Sequence, residues 1–210
     1  MADEEEEPPP PVTWKTIPPE PEEGEEPAEP EEGERDEEGV PIGTGCMTYP
    51  DGATFVGTLA AGGKRTGKGK YTFANGAVFE GDYVDNVKTG SGTMTYPDGS
   101  SYTGGWVSDK KEGEGVYKYA SGDVYKGGFK ADKKDGDGSY LFKESRSTFM
   151  GKWVAGEMVD GEWILKDGTI FKGTFGKNSP AVGTYDFAKT ETSVKGKFDK
   201  EGYFIEVPSA

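Results

Sequence analysis

One stretch of the chain has nearly the residues of a phosphate-binding site. It is Gly62-Gly63-Lys64-Arg65-Thr66-Gly67-Lys68-Gly69, which resembles a P-loop in its glycines and in Lys68. A P-loop continues with a Ser or Thr whose hydroxyl binds Mg²⁺, and it opens a helix whose N-terminus faces the phosphate. Here Gly69 stands at the hydroxyl position, and the alternating pattern that follows indicates a strand. We therefore expect no nucleotide at this stretch.

The residues for nucleophilic and metal chemistry are also missing. The chain has no histidine and one cysteine, Cys46, so the usual Ser-His and Cys-His pairs and most zinc sites are excluded. The acidic run 132–138 lacks the alternating oxygen ligands and the closing Glu of a calcium loop. Carboxylate pairs such as Glu112 and Glu114 have no apolar pocket that would shift a pKa. We predict no enzymatic activity, no catalytic residues, no cofactor and no metal.

Four basic residues recur at a constant interval and form the charged pattern best suited to binding. Arg65, Lys88, Lys111 and Lys134 are each separated by 23 residues. They are predicted at equivalent points of four consecutive hairpin connectors, roughly 10 Å apart if two strands of ~4.8 Å spacing separate them. We call them the basic edge row. They either guide an acidic segment along one edge or are solvated hairpin tips.

The elements that position these residues are predicted to be β-hairpins. Tyr102, Gly104 and Trp106 stand at alternate positions, as do Gly115 and Tyr117, and a period of two places each set on one face of a strand. A charged connector separates the two sets and a tight turn follows them. The pattern begins with half a repeat near residue 43 and restarts, every 22 to 24 residues, at Phe55, Phe79, Tyr102, Tyr125, Phe149, Phe171 and Val194. Such a period indicates a repeat array.

One face of the predicted sheet is aromatic, and no helix is predicted that could cover it. Glycines recur on the same face, where a ring on one strand could lie over the bare Cα of a glycine on the next. The face must be hidden by the sheet's own curvature or covered by another chain, since soluble proteins rarely expose large apolar patches. The predicted protein-binding residues on this aromatic face are Tyr102, Trp106, Tyr117, Tyr125, Phe129, Tyr140, Phe149 and Trp153.

The motif Y-x-G-x-W, a short connector and G-x-G-x-Y with a following Asp-Gly or Asn-Gly turn resembles the MORN repeat, over residues 43 to 198. The resemblance implies an elongated, single-layer antiparallel sheet of successive hairpins. The predicted fold class is therefore all-β. The predicted domains are an acidic tail (1–39), a MORN-repeat sheet (40–198) and a C-terminal end piece (199–210).

The acidic tail differs in charge from the rest of the chain. Residues 1–39 hold 17 acidic residues and only Lys15 and Arg35, which leaves 22 acidic and 22 basic residues in the remainder. Its Pro- and Glu-rich composition predicts a disordered or extended segment. Trp14 and Ile17 are the exception, either as a docking segment or as an incidental apolar pair. The near-zero charge of the repeats and the negative tail disfavour anionic membrane lipid. We expect no nucleic-acid partner. No transmembrane or signal segment is evident, so we expect a cytosolic protein.

The resemblance also implies a function. MORN repeats are found in the radial spoke heads of motile cilia and flagella. This chain, small and almost purely MORN with a charged tail, is similar to that group and to the radial spoke protein 10 type within it. This implies a non-enzymatic structural component of the cytoskeleton in the axoneme. Its implied partners are other radial spoke head proteins, a second MORN protein or a second copy of itself. The alternative is a MORN-type adaptor associated with membranes or phospholipids.

Overall fold

A computed structural model describes residues 12–18, 20 and 28–207, and it is built from antiparallel β-strands. The expected all-β architecture of successive hairpins is confirmed. The described residues contain no α-helix, only a 3₁₀ turn at Ala61–Gly63, and hence no helix of the length and apolarity needed to cross a membrane. The chain divides into two compact units, Met1–Pro97 and Asp98–Ala210.

The first unit contains six strands, each paired antiparallel with the next in the chain. They are β1 (Thr13–Lys15), β2 (Gly43–Thr48), β3 (Thr54–Ala60), β4 (Lys64–Thr72), β5 (Val78–Val84) and β6 (Val87–Thr95). β1 lies within the acidic tail, where the sequence shows no periodic pattern.

The second unit contains ten strands, again paired antiparallel in chain order. They are β7 (Ser101–Val107), β8 (Lys110–Lys118), β9 (Val124–Lys130), β10 (Lys133–Leu141), β11 (Thr148–Val154), β12 (Glu157–Ile164), β13 (Ile170–Gly176), β14 (Ser179–Phe187), β15 (Thr192–Phe198) and β16 (Phe204–Glu206).

The turn inside each hairpin is shorter than the sequence suggests. The predicted connector around residues 108–112 is reduced to a two-residue turn, Ser108-Asp109, and β8 begins at the next residue. Both turn residues have positive φ, 49° and 66°, the conformation that matches the twist of paired strands. The Asp85-Asn86 turn of the first unit has the same signs, with φ of 48° and 74°. The basic residues that follow these turns therefore belong to strands.

The two glycines of the G-x-G motif have different roles. In β8 the first, Gly113, has φ of 71° and open space around it, and the register of β7 and β8 shifts between Gly104 and Trp106. This is a β-bulge that glycine accommodates. The second, Gly115, lies under the Tyr102 ring, and a Cβ there would be 2.5 Å from Cε2 of that ring. The prediction that rings lie over bare glycines is confirmed at this second position.

Candidate protein-binding surface

Most of the aromatic residues predicted to bind a partner are buried within the second unit. The six buried side chains lie on β7, β9 and β11, and they are Tyr102, Trp106, Tyr125, Phe129, Phe149 and Trp153. Their rings meet edge to face, as in Tyr125 with Trp153, whose centroids are 5.2 Å apart. Within the chain these six rings are therefore covered: Tyr102 and Tyr125 lie over glycines of β7 to β10, and each of the six rings contacts another ring. A binding role for these six residues stays a prediction.

A second set of rings, on β8 and β10 and just beyond them, is only half-buried. It consists of Tyr117, Tyr119, Tyr140 and Phe142, which we call the outer ring row. Successive centroids are 4.5, 5.4 and 4.5 Å apart, so the four rings form a continuous line. Tyr119 and Phe142 are not among the predicted protein-binding residues, although the alternation Tyr117-x-Tyr119 and Tyr140-x-Phe142 carries the signal.

An open apolar cavity of about 590 Å³ continues from the end of the outer ring row. Its apolar lining is Phe142, Phe149, Trp163 and Leu165, and the turn that follows β10 contributes serine side chains to its wall. That turn is one residue longer than its counterparts, and Arg146 has positive φ, 55°. The indole nitrogen of Trp163 is buried and has no acceptor within the described part of the chain. The longer turn thus forms part of the wall of this cavity.

Two cations of the predicted basic edge row lie over these rings in the second unit. The Lys134 amine is 4.0 Å from the Trp153 centroid and 4.9 Å from that of Tyr140. The Lys111 amine is 5.5 Å from the Tyr117 centroid, and it also pairs with Asp132 at 3.7 Å. These are cation–π distances. Burial lowers the pKa of Lys134 to about 8, because the surrounding rings displace the water that would solvate its charge.

The two basic residues of the first unit follow the same geometry. Arg65 places its guanidinium 4.7 Å from the Tyr71 centroid and 5.3 Å from that of Tyr83, and Lys88 lies 5.7 Å from the Phe79 centroid. The basic edge row was predicted in wet connectors. The structure places its members in strands, with their charged ends over rings, because the preceding turns are only two residues long, or three before Arg65. Its proposed role in guiding an acidic segment is not tested by this placement.

Burial raises the pKa of two phenols of the outer ring row, those of Tyr119 and Tyr140. Tyr140 donates a hydrogen bond to Asp123 Oδ2 at 2.9 Å, and burial, together with that carboxylate, raises the pKa of Tyr140. The backbone N–H of Lys143 is the main group that lowers the pKa of Asp123. The hydroxyls of Tyr119 and Tyr140 are therefore neutral, and the Asp123 carboxylate is charged, near neutral pH.

The two apolar residues of the tail have different environments. Trp14 is 2% exposed and its indole N–H donates to the Ile42 carbonyl at 3.2 Å. Ile17 is 49% exposed. Among the described residues, no group of three acidic, cysteine or histidine side chains is placed to hold a metal ion.

Five segments of the chain match the family model of the MORN repeat, at residues 37–54, 61–78, 79–101, 102–124 and 125–144. These segments are MORN repeats. Such repeats suggest a scaffold for protein interactions. The hairpins continue through β15, beyond the last matched segment. There the MORN signature weakens, because the turn after β10 is longer and the Gly161-x-Trp163 strand lacks the first glycine of the motif.

None of the curated proteins with which the sequence was compared matches it. Among solved structures, the TCP domain of SAS-4 (dCPAP) from Drosophila melanogaster, in complex with a proline-rich motif of Ana2 (dSTIL), is 15% identical, with a TM-score of 0.44 over 75% of this chain and 83% of that one. The TCP10 domain of CPAP from Danio rerio is 18% identical, with a TM-score of 0.43 over 76% of this chain and 80% of that one. Similarity at this level supports no conclusion about function.

Proposed function

We propose that this MORN-repeat chain is a non-enzymatic scaffold of a large cytoskeletal assembly, the radial spoke head of the ciliary or flagellar axoneme. In this proposal its partners are other radial spoke head proteins. The proposal of an axonemal location rests on the resemblance of a small, almost purely MORN chain with an acidic tail to proteins of that assembly. It assigns the chain to the cytoskeleton of the cilium.

The observation that carries the binding role is the outer ring row. Four aromatic rings in continuous contact, half-buried and leading into an apolar cavity of about 590 Å³, offer the surface in which aromatic hot spots are usually found. The buried rings beneath form the core of the sheet, so their truncation would disturb the fold. The outer ring row can be truncated at smaller cost, which separates binding from folding.

The test is the location of the tagged chain in a ciliated cell after detergent extraction. We expect wild-type protein to remain with the axoneme and the Tyr119→Ala/Phe142→Ala variant to be released, with an unchanged far-UV circular dichroism spectrum. Tyr203→Ala, at a ring that is 71% exposed and outside the row, is the matched control and should remain bound. Retention of the double variant would contradict the binding surface. Wild-type protein that is extracted by detergent with the membrane fraction would replace the scaffold proposal with the membrane adaptor.

A further inference from the structure

The cavity at the end of the outer ring row lies where the line of rings is interrupted. The ring that follows β8, Tyr119, contacts Tyr140 on β10, with centroids 5.4 Å apart. Phe142 is the ring that follows β10, and the corresponding contact would be with Trp163 on β12. Instead Phe142 contacts Phe149, at 5.0 Å, and no ring contact joins it to Trp163 within the described residues. The cavity is lined by both of these rings, and we call it the ring gap.

A backbone hydrogen bond marks the turn position at which the chain departs from its own repeat. After β4 the Phe73 N–H donates to the Ala77 carbonyl at 2.8 Å, and after β12 the Leu165 N–H donates to the Thr169 carbonyl, also at 2.8 Å. The residue at this position is aromatic after β2, β4, β8 and β10, where it is Tyr49, Phe73, Tyr119 and Phe142. Leu165 thus stands where these turns have a ring, and it lines the ring gap.

The ring gap has the size and the lining that suit an aromatic side chain together with its flanking backbone. Phe142, Phe149 and Trp163 supply three rings to its wall, and Leu165 adds an aliphatic side chain. Its volume of about 590 Å³ falls within the range of ligand cavities, roughly 300–1,000 Å³. Aromatic rings favour edge-to-face and offset contacts with other rings, which an aliphatic side chain cannot supply. A ring inserted here would therefore restore the line of rings between Phe142 and Trp163.

The rim of the ring gap favours negative charge beside such a ring. The two turns that border the gap carry three cations and two carboxylates: Lys143, Arg146 and Lys166 against Glu144 and Asp167. Asp167 is engaged within its own turn, where it accepts a hydrogen bond from a backbone N–H at 3.0 Å. Arg146 and Lys166 are exposed, and neither forms an ion pair with another described residue. A carboxylate next to the inserted ring can therefore pair with either cation.

We propose that the ring gap binds an aromatic side chain of a partner protein, that acidic residues flank this side chain, and that its ring continues the outer ring row. The inference rests on the proposed function, because it names the chemistry that the partner presents to the same surface. An aliphatic anchor would lack the ring contacts with Phe142 and Trp163. A partner with basic residues beside the anchor would be repelled by Arg146 and Lys166. The partner is therefore recognised by a ring and by the charge next to it.

A capped peptide, Glu-Glu-Phe-Glu-Glu, is the probe for this proposal, and the purified full-length chain is the receptor. Binding is followed by heteronuclear NMR of the four indole N–H groups. The Trp163 signal should shift when the peptide is added at millimolar concentration, because that indole lines the gap, and the Trp14 signal in the first unit should not. The affinity should fall at least tenfold when the phenylalanine of the peptide is replaced by alanine, and at least threefold with leucine. Replacement of the glutamates by lysine should also lower it at least tenfold.

Leu165→Phe tests the gap itself, because it supplies from within the chain the ring that the equivalent turns carry. The variant should remain folded and lose at least tenfold in affinity for the peptide. Leu141→Phe is the matched control, since Leu141 is 44% exposed and lies outside the lining of the gap. It should bind the peptide within twofold of wild type. If Leu165→Phe does not fold, the peptide series on the wild-type chain decides.

An unshifted Trp163 signal overturns the proposal, as does a folded Leu165→Phe chain that binds the peptide as tightly as wild type. So does a peptide that binds equally well or better with leucine in place of phenylalanine, or with lysine in place of glutamate. These results are separate from the test of the proposed function. Wild-type protein that leaves the axoneme would contradict that function and leave the peptide result standing, whereas failure of the peptide experiment removes only the acidic aromatic partner.

Discussion

Lys134 is the residue whose surroundings differ most from those expected of a hairpin cation. Its amine lies over Trp153, Tyr140 and Tyr125, at 4.0, 4.9 and 5.4 Å from their centroids. The equivalent position two strands later is the buried Met158, which faces Trp153 as Lys134 faces Phe129. One position of the repeat thus accepts either a cation over rings or an apolar side chain.

The lowered pKa of Lys134 predicts a specific dependence of stability on pH. Its ordinary pKa is 10.5 and its folded-state value is about 8, so between these pH values the unfolded chain binds more protons and stability rises with pH. The raised pKa of Tyr140 acts in the opposite direction above pH ~10, the ordinary phenol value. The free energy of unfolding should therefore increase from pH 8 to 10, on the order of 1 kcal/mol or less because the amine is partly hydrated.

The measurement is urea denaturation at several pH values, with Lys134→Met as the test variant. This substitution imitates Met158 and should abolish the increase between pH 8 and 10. Lys133→Met is the matched control, because Lys133 is exposed, and it should leave the increase intact. If wild type and Lys134→Met show the same pH profile, the amine is not desolvated by its rings.

At the scale of the hairpin, the sequence predicts the strands well and the burial of individual side chains less well. Alternation and a constant period identify strands, but β7 and β8 both alternate. Tyr102 is buried while Tyr117 is half-buried, because Tyr102 lies over two glycines, Gly104 and Gly115. The position of the Tyr102 ring over these glycines depends on the register of β7 and β8, and the bulge at Gly113 sets that register. Composition alone does not show on which strand a ring becomes part of the core.

The turns explain why the cations were predicted in the wrong place. Asn-Gly is the strongest signal of a two-residue hairpin turn, and the turns at Ser108-Asp109 and Ala131-Asp132 lack it although both residues of each have positive φ. A run of charged residues therefore suggests a longer connector. Strand β1 was not predicted for another reason. Its three residues, 13–15, are too few for a period of two to be detected.

The different roles of the two glycines in β8, the bulge at one and the ring contact at the other, can be tested by substitution. Gly115→Ala inserts a methyl group against the Tyr102 ring and should cost about 1–3 kcal/mol. Gly113→Ala meets no atom within 4 Å and should cost about 1 kcal/mol through its positive φ alone. The two effects are distinguished by a double-mutant cycle with Tyr102→Leu, measured by chemical denaturation. Only Gly115→Ala should couple to the ring, by more than about 0.5 kcal/mol. Equal coupling for both glycines would contradict the assignment.

At the scale of the whole molecule, stability comes from contacts between strands that are close together in the chain. Within each unit every strand pairs with its neighbours in the chain, and backbone contacts are concentrated in those pairs. Ring contacts reach beyond those pairs, as from Phe149 on β11 to Phe175 on β13. Arrays of this kind behave as a sum of local stabilities and nearest-neighbour interfaces. The C-terminal hairpins keep this arrangement although their sequences depart from the MORN motif, because a ring over a glycine persists there. Phe171 lies over Gly183, and Phe204 lies over Gly196.

Because contacts reach only strands that are close together in the chain, damage in the second unit is predicted to stay local. Phe175 on β13 is 7% exposed and contacts the rings of Phe149 and Phe171 at centroid distances of 5.3 and 5.6 Å. Phe175→Ala should therefore cost about 3–5 kcal/mol in that region. In hydrogen exchange, amide protection should fall in β11, β12, β13 and β14 and be retained in β7 and β8, because no extensive contact links β13 to those two strands. Gly176→Ala, which meets no atom within 4 Å, is the control and should leave all strands protected. A uniform loss of protection from β7 to β15 would mean that the unit unfolds as one cooperative body, and the local description of its stability would then be wrong.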